Sequence, residues 1–339
     1  MSDKNIFFVL AFYRFTPIAD PEKEIAEHKL FFKDRCITSR IYISDQGING
    51  QMSGKREDVE AYMNWMHANP LFENIPFKIH TYHENVFPRQ IVKYRKQLVA
   101  LDEEVDLAET GEHVSPSRWK ELLEMEEKPL LLDIRNEYEW QVGRFEGAEC
   151  PPCDSFREFK GYTDELKEKV DPEKTPVMMY CTGGIRCELY SALLRKQGFK
   201  DIYQLDGGII NYGLKEGNDH WLGKLFVFDD RLTVPISEEP SPIIGKCHHC
   251  AIPIESYYNC ANMECNNLYL CCQPCAKESS GCCQEACQKA ERVRPYQDLD
   301  AHKPFKKWYH YFKEHSKEHS KEHCSKSYSQ SHEEQIEKI

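Results

Sequence analysis

Along roughly the first 85 residues the chain alternates between the two-residue period of strands and the 3.6-residue period of helices. Residues 6–15 are apolar and aromatic, as in a strand. Asp20-Pro21-Glu22 then supplies a helix cap, a proline at the first helical position and an early acid, which predicts a helix to about Cys36. Arg40 to Ser44 reads as a strand, and Asp45-Gln46-Gly47 with Gly50 bounds a tight connection into a second short strand ending near Gly54. Val59, Tyr62, Met63 and Met66 fall at i, i+3, i+4 and i+7, one face of a helix, and Phe77 to Tyr82 reads as a closing strand.

The resulting order, βαββαβ, is that of the ferredoxin-like sandwich, an α+β fold, and predicts a first domain over residues 1–97 followed by a linker over 98–116. The pattern then becomes α/β over residues 117–222. Ser115-Pro116-Ser117 opens a helix through Met125, and Leu130-Leu131-Leu132-Asp133, Val177 to Tyr180 and Ile202 to Leu205 are short apolar runs, as expected of strands buried on both faces. A helix from Cys187 to Gln197 stops at Gly198. Strands alternating with helices imply a parallel sheet. Residues 223–244 read as a second linker, 245–291 as a cysteine-rich module, 292–312 as a basic and aromatic segment, and 313–339 as a low-complexity tail built on a Lys-Glu-His-Ser repeat, a solvated end too polar to bury a face.

With 339 residues, 40% hydrophobic and 29% charged, the chain has the composition of a globular protein of two or three domains. Its formal charge of -12 disfavours nonspecific binding to a polyanion and leaves only a local basic patch for that purpose. No apolar run reaches the ~18 residues a membrane span needs. The features of a secretory signal or transit peptide are missing, so a cytoplasmic, membrane-free protein is expected.

Ten of the 16 cysteines fall between Cys247 and Cys287. Without an export signal, metal thiolates explain such a cluster better than disulfides. Cys247 and Cys250, Cys260 and Cys265, Cys272 and Cys275, and Cys283 and Cys287 form four closely spaced pairs, enough for two structural zinc ions with four thiolates each. An iron–sulfur cluster is the rival. Cys271 and Cys282 are left over; which member of each adjacent pair binds, and whether the sites are sequential or interleaved, stays open.

Residues Met178 to Leu189 read MMYCTGGIRCEL. A buried strand ends at Tyr180, Cys181 follows at its carboxyl end, two glycines permit a tight turn, and a helix begins near Arg186 or Cys187. Crevices at strand carboxyl ends are where open α/β sheets bind ligands. A thiol facing a helix N-terminus, with Arg186 nearby, is favoured as thiolate, the nucleophilic form. The Cys181-x4-Arg186 loop (Thr182, Gly183, Gly184, Ile185) is shorter than the C-x5-R cradle of cysteine phosphatases and suits a smaller group, such as a sulfane sulfur.

This loop, with Leu132-Asp133-Ile134-Arg135-Asn136-Glu137-Tyr138-Glu139, Gly143-Arg144-Phe145-Glu146-Gly147-Ala148 and Leu205-Asp206-Gly207-Gly208-Ile209, resembles a rhodanese domain. The resemblance implies a persulfide-carrying Cys181, with Asp133 and Arg135 bracing the domain and Cys187 either packing or acting as a resolving thiol. Asp45-Gln46-Gly47-Ile48-Asn49-Gly50-Gln51, Ser53-Gly54, Phe226-Val227-Phe228-Asp229-Asp230-Arg231 and Val234-Pro235 narrow it. Together these motifs resemble the bacterial tRNA uridine hydroxylase family, in which a ferredoxin-like domain precedes a rhodanese domain. Gln51 stands where that family often has Thr. The resemblance implies O2-dependent hydroxylation of the wobble uridine, position 34 of tRNA, to 5-hydroxyuridine, with O2 as co-substrate and Cys181 as the required residue.

The oxygen-activating cofactor is not identifiable: neither a 2-His-1-carboxylate spacing nor a dinucleotide fingerprint occurs. An oxidised or persulfidated Cys181 is one way to fill the gap. For the RNA partner, Arg89, Lys93, Arg95 and Lys96 lie with Phe87 and Tyr94, and the segment 292–312 mixes basic with aromatic residues. Such a mixture can track phosphates and stack on the unpaired bases of an anticodon loop, whereas DNA is not expected. Two other functions remain open: a sulfurtransferase carrying sulfane sulfur on Cys181 from thiosulfate or another donor, and a noncatalytic zinc-bound RNA-binding scaffold.

Overall fold

Alternation along the first strands decides how the N-terminal sheet is used. In a computed structural model, which describes residues 6–153, 155–265 and 267–296, the first elements are β1 (Phe7–Phe15), α1 (Pro21–Phe32), β2 (Thr38–Ser44), β3 (Gly47–Gly54), α2 (Arg56–Ala68), β4 (Lys78–Tyr82) and β5 (Val92–Tyr94). The sheet order is β4-β1-β3-β2-β5. Its first four strands are antiparallel, and β5 adds to β2 in parallel. Leu10, Phe12, Ile41, Ile43, Ile48 and Met52 point to one face and pack against Ile25, Phe32, Val59, Tyr62 and Met66 of the two helices.

The other face carries a different chemistry. Strand register aligns Lys78, Ala11, Gln51 and Arg40 in one cross-strand row, and Tyr13, Asn49, Tyr42 and Lys93 in the next. Polar and aromatic residues thus line the sheet face that the helices leave open.

The central elements are β6 (Glu112–Val114), α3 (Pro116–Glu124), β7 (Leu130–Asp133), α4 (Glu137–Val142), β8 (Gly143–Phe145), α5 (Phe159–Lys169), β9 (Val177–Tyr180), α6 (Ile185–Lys196), β10 (Ile202–Leu205), α7 (Gly208–Glu216) and β11 (Trp221–Gly223). Strands β6-β10-β9-β7 form a parallel sheet. Its two faces are both covered. Leu132 and Met179 pack with Phe159, Tyr190 and Leu193, while Leu131 and Met178 pack with Trp119, Leu122 and Ile209. Strand β6 lies within the stretch read as a linker, and a hairpin of β12 (Leu225–Phe226) and β13 (Thr233–Val234) lies within the second one.

The remaining elements are β14 (Tyr257–Asn259), which pairs with β15 (Leu268–Leu270), and the short helices α8 (Gln273–Glu278) and α9 (Glu285–Gln288). The described residues divide into two compact units, one running to Tyr257 and including Leu270–Cys272, the other made of Tyr258–Tyr269 and the described residues from Gln273 onward. Among the described residues no helix is long and apolar enough to cross a membrane. The tail 313–339 and residues 297–312 of the basic and aromatic segment lie outside the described residues.

Candidate active site and cysteine clusters

Strand β9 is buried throughout and delivers Cys181 to its carboxyl end, where the residue is 1% exposed. The turn into α6 folds back over the sulfur, so that the Gly184 N–H donates to Cys181 Sγ at 3.1 Å. Gly184 has φ +102, and a Cβ there would sit 2.9 Å from the Tyr13 hydroxyl. Behind the loop, Ile209 and Ile210 donate their N–H groups to the Cys181 and Thr182 carbonyls at 3.1 and 3.2 Å. That approach needs glycine at 208, where φ is +67 and a Cβ would fall 2.5 Å from the Cys181 carbonyl oxygen.

Arg186 does not stand free over the loop. Its guanidinium makes a two-pronged ion pair with Glu139, Nη1 to Oε2 at 2.7 Å and Nη2 to Oε1 at 2.8 Å, and Thr182 Oγ1 donates to the same carboxylate at 3.3 Å. Burial by itself would raise the Cys181 pKa. The Cys187 thiol, the Arg186 charge and the Arg186 and Gly184 N–H groups outweigh it and bring the pKa down to about 5. Burial pushes Cys187 up, and its bond to Cys181 pushes it further. Burial also takes Cys150 up to about 12. Asp133 and Arg135 are fully buried and paired, with Arg135 Nη2 2.6 Å from Asp133 Oδ2 and Tyr180 donating to that oxygen at 2.7 Å; they hold strand ends together.

The open face of the N-terminal sheet roofs the thiol. Lys78 Nζ donates to the Gly183 carbonyl at 2.8 Å, the Tyr13 hydroxyl donates to Glu188 Oε1 at 2.9 Å, and Arg40 Nη1 donates to the Phe228 carbonyl at 2.6 Å. Between roof and floor is a cavity of about 510 Å³ whose walls include Cys181, Lys78, Tyr13, Tyr42, Gln51 and Asn136. Burial lowers the Lys78 pKa, whereas the neighbouring Cys181 favours its charge.

Sequence reasoning singled out the loop but not Glu139, Lys78 or Tyr13 as its partners. Of the basic candidates, Arg89, Lys93, Arg95 and Lys96 are all exposed. Lys93 continues the row of Tyr42, and the Arg95 guanidinium lies 5.2 Å from the Tyr42 ring centre, so these two adjoin the cavity wall, whereas Arg89 lies toward Lys29 and Phe32 of α1.

The activation of Cys181 has a direct readout. Its alkylation by iodoacetamide is expected to be nearly independent of pH above about 6 and to fall as pH drops through about 5, where the thiolate takes up a proton. Cys187→Ala removes a donor to the thiolate and should move the midpoint upward. A wild-type midpoint above 8, the ordinary thiol range, would contradict the described geometry.

The paired cysteines converge as two clusters, Cys247, Cys250, Cys272 and Cys275 in one and Cys260, Cys265, Cys283 and Cys287 in the other, each with its sulfurs within 4.8 Å of one another. The pairs therefore interleave, first with third and second with fourth. Cys272 and Cys283 take part while Cys271 and Cys282 do not. Individual separations of 3.7 Å (Cys247 to Cys272, Cys250 to Cys272, Cys265 to Cys283) and 3.9 Å (Cys283 to Cys287) match the edge of a tetrahedron, about 3.8 Å for metal–sulfur bonds of about 2.3 Å. The Cys272 and Cys283 N–H groups donate to the Cys247 and Cys260 sulfurs at 3.4 Å, as expected around thiolate charge.

A parallel sheet that presents an activated cysteine in a short glycine turn is a rhodanese architecture, here roofed by a ferredoxin-like sheet and followed by two four-cysteine clusters that could hold metal ions. Three family models match consecutive segments: a UPF0176 acylphosphatase like domain over residues 7–98, a Rhodanese-like domain over 115–214 and a Rhodanase C-terminal segment over 222–288. The tRNA uridine(34) hydroxylase of Protochlamydia amoebophila is 72% identical over 93% of this chain and 98% of its own length. Those of Chlamydia felis and Chlamydia muridarum are both 53% identical, over 90% of this chain and 94% and 93% of their own lengths. The chain belongs to the tRNA uridine(34) hydroxylase family.

Proposed function

We infer that the protein hydroxylates the wobble uridine of tRNA at C5, with O2 as co-substrate and Cys181 as the required residue. The observation that carries this reading is the cavity. A low-pKa thiol is closed off by an aromatic and amide-bearing sheet face, leaving a space within the roughly 300–1,000 Å³ range of small-molecule clefts. An anticodon base is already unpaired and can enter such a space at little cost. Lys93 and Arg95, beside Tyr42 of the same face, would follow the anticodon backbone, with the exposed Arg89 and Lys96 of the same segment extending the charge. The close spacing of the sulfurs suits one ion per cluster rather than a multinuclear iron–sulfur cluster, so zinc in a structural role fits both sites. The cytoplasm, where tRNA is found, is the corresponding compartment.

Sulfur transfer from an anionic donor is the competing chemistry of a rhodanese loop. It is disfavoured because the loop's own arginine is committed to Glu139. The test is nucleoside mass spectrometry of tRNA from cells lacking the gene, complemented with wild type or Cys181→Ser. Restoration of 5-hydroxyuridine and its derivatives by wild type alone is expected. Unchanged nucleosides in every strain would turn the assignment to sulfur transfer, and restoration by both would remove Cys181 from the mechanism.

A further inference from the structure

We propose that Cys181 adds covalently to C6 of the target uracil and that Lys78 is a second catalytic residue, holding the O4 oxygen on which negative charge then collects. The inference rests on the reading that uridine 34 enters the cavity. Uracil is an electron-poor enone across C6, C5 and the C4 carbonyl, so a thiolate attacks it at C6. An electrophile such as O2 or a peroxide needs the opposite polarity at C5. Addition of sulfur supplies that polarity: the S–C6 bond forms, the C5=C6 π pair moves toward C4, and charge gathers on O4 as an enolate.

The cavity has the groups this step requires. Cys181 lies on its floor, with the sulfur already fixed by the Gly184 N–H at 3.1 Å. Lys78 is placed across from it by the register of β4 against β1, in the row that also holds Gln51 and Arg40. Its ammonium spends one donor on the Gly183 carbonyl at 2.8 Å and has two others, which can reach an oxygen held above the thiol. Aromatic faces also line the cavity: Tyr13 and Tyr42 come from the sheet and Phe228 from the chain beyond β12. Planar faces of that kind stack on a base. Amides at Asn49, Gln51 and Asn136 match the alternating acceptors and donor of the uracil edge. A partly buried cation opposite a developing oxyanion is worth more than the same pair in water.

Addition leaves a signature that needs no oxidant. If the enolate forms, C5 takes a deuteron from D2O, and reversal expels the original C5 proton together with the thiolate, restoring the C5=C6 bond. Unmodified tRNA from the deletion strain is incubated with the full-length protein in D2O under argon, and the mass of uridine 34 is read. A gain of one mass unit is expected with wild type. It should be absent with Cys181→Ser and at least ~10-fold slower with Lys78→Met, one factor of ten corresponding to about 1.4 kcal/mol in the barrier. Lys78→Arg, which keeps a cation, should recover part of the rate. The same preparation is assayed in air for 5-hydroxyuridine. Hydroxylation in air without exchange under argon would overturn the covalent step and leave the function standing. Failure of both would overturn the function and the covalent step together.

Discussion

Replacing Glu139 by alanine is expected to destabilise the protein by about 3–5 kcal/mol, the cost of leaving a buried charge without its partner. The Glu139 side chain is fully buried and that of Arg186 is 11% exposed, so water cannot take the place of the carboxylate. Two bonds of 2.7 and 2.8 Å would be lost at once, together with the acceptor for Thr182. A surface ion pair of the same length would contribute at most ~1 kcal/mol. Urea unfolding of Glu139→Ala, Arg186→Met and the double variant E139L/R186M separates the cases. The double variant, with no charge left to strand, should be more stable than either single one. A loss below ~1 kcal/mol in Glu139→Ala would show that the pair is solvated in solution. Burial alone would raise the Glu139 pKa, but the Arg186 charge and hydrogen bonds bring it below the usual 4.5. The pair's contribution is therefore complete above the unfolded-state value and is lost as pH falls through the lower folded value. The gap between wild type and Glu139→Ala should close in acid.

This ion pair also marks the limit of what the sequence discloses. Cys181, its glycines and Arg186 are contiguous, so their turn chemistry is local and can be read directly. Glu139 is 47 positions from Arg186, and locally it already has an explanation as the capping residue of α4, accepting the Asn136 N–H at 3.1 Å. Only the fold shows that the same carboxylate also reaches across to the loop. Lys78 and Tyr13 are hidden for a related reason. They occupy strand positions that look like ordinary members of an alternating pattern, and their importance lies in which domain covers that face of the sheet.

Strand boundaries followed the same logic. The nine-residue run from Phe7 to Phe15 and the wholly buried run from Val177 to Tyr180 announce themselves by hydrophobicity. By contrast β5 and β6 have three residues each and read Val-Lys-Tyr and Glu-His-Val. As edge strands with one neighbour, they need few apolar side chains, and their pairing partners are fixed by tertiary structure. The helix expected to reach Cys36 ends at Phe32, although nothing in its periodicity stops it there. In the cysteine module the spacing identifies the pairs but not their grouping, since sequential and interleaved sites use the same ligands.

That grouping has an energetic consequence large enough to measure. Because Cys260 and Cys265 lie between Cys250 and Cys272, an ion in the first cluster would close a loop that contains half of the second; an ion in the second would likewise close a loop around Cys272 and Cys275. Each bound ion should therefore lower the entropy cost of forming the other site, which sequential sites would not do. Structural zinc contributes about 10–16 kcal/mol in isolated finger peptides, so losing one ligand is expected to cost more than any core substitution. Wild type should contain two zinc ions per chain by metal mass spectrometry. Cys283→Ser should lose the second ion and release the first to a chelator at least ~10-fold faster than wild type, since closure of the shared loop is lost. Cys282→Ser and Cys271→Ser, beside the ligands but outside the clusters, should retain both ions. Loss of metal from Cys282→Ser equal to that from Cys283→Ser would refute the assignment of ligands. Unchanged chelation of the first ion in Cys283→Ser would show that the two sites fold independently despite their interleaving.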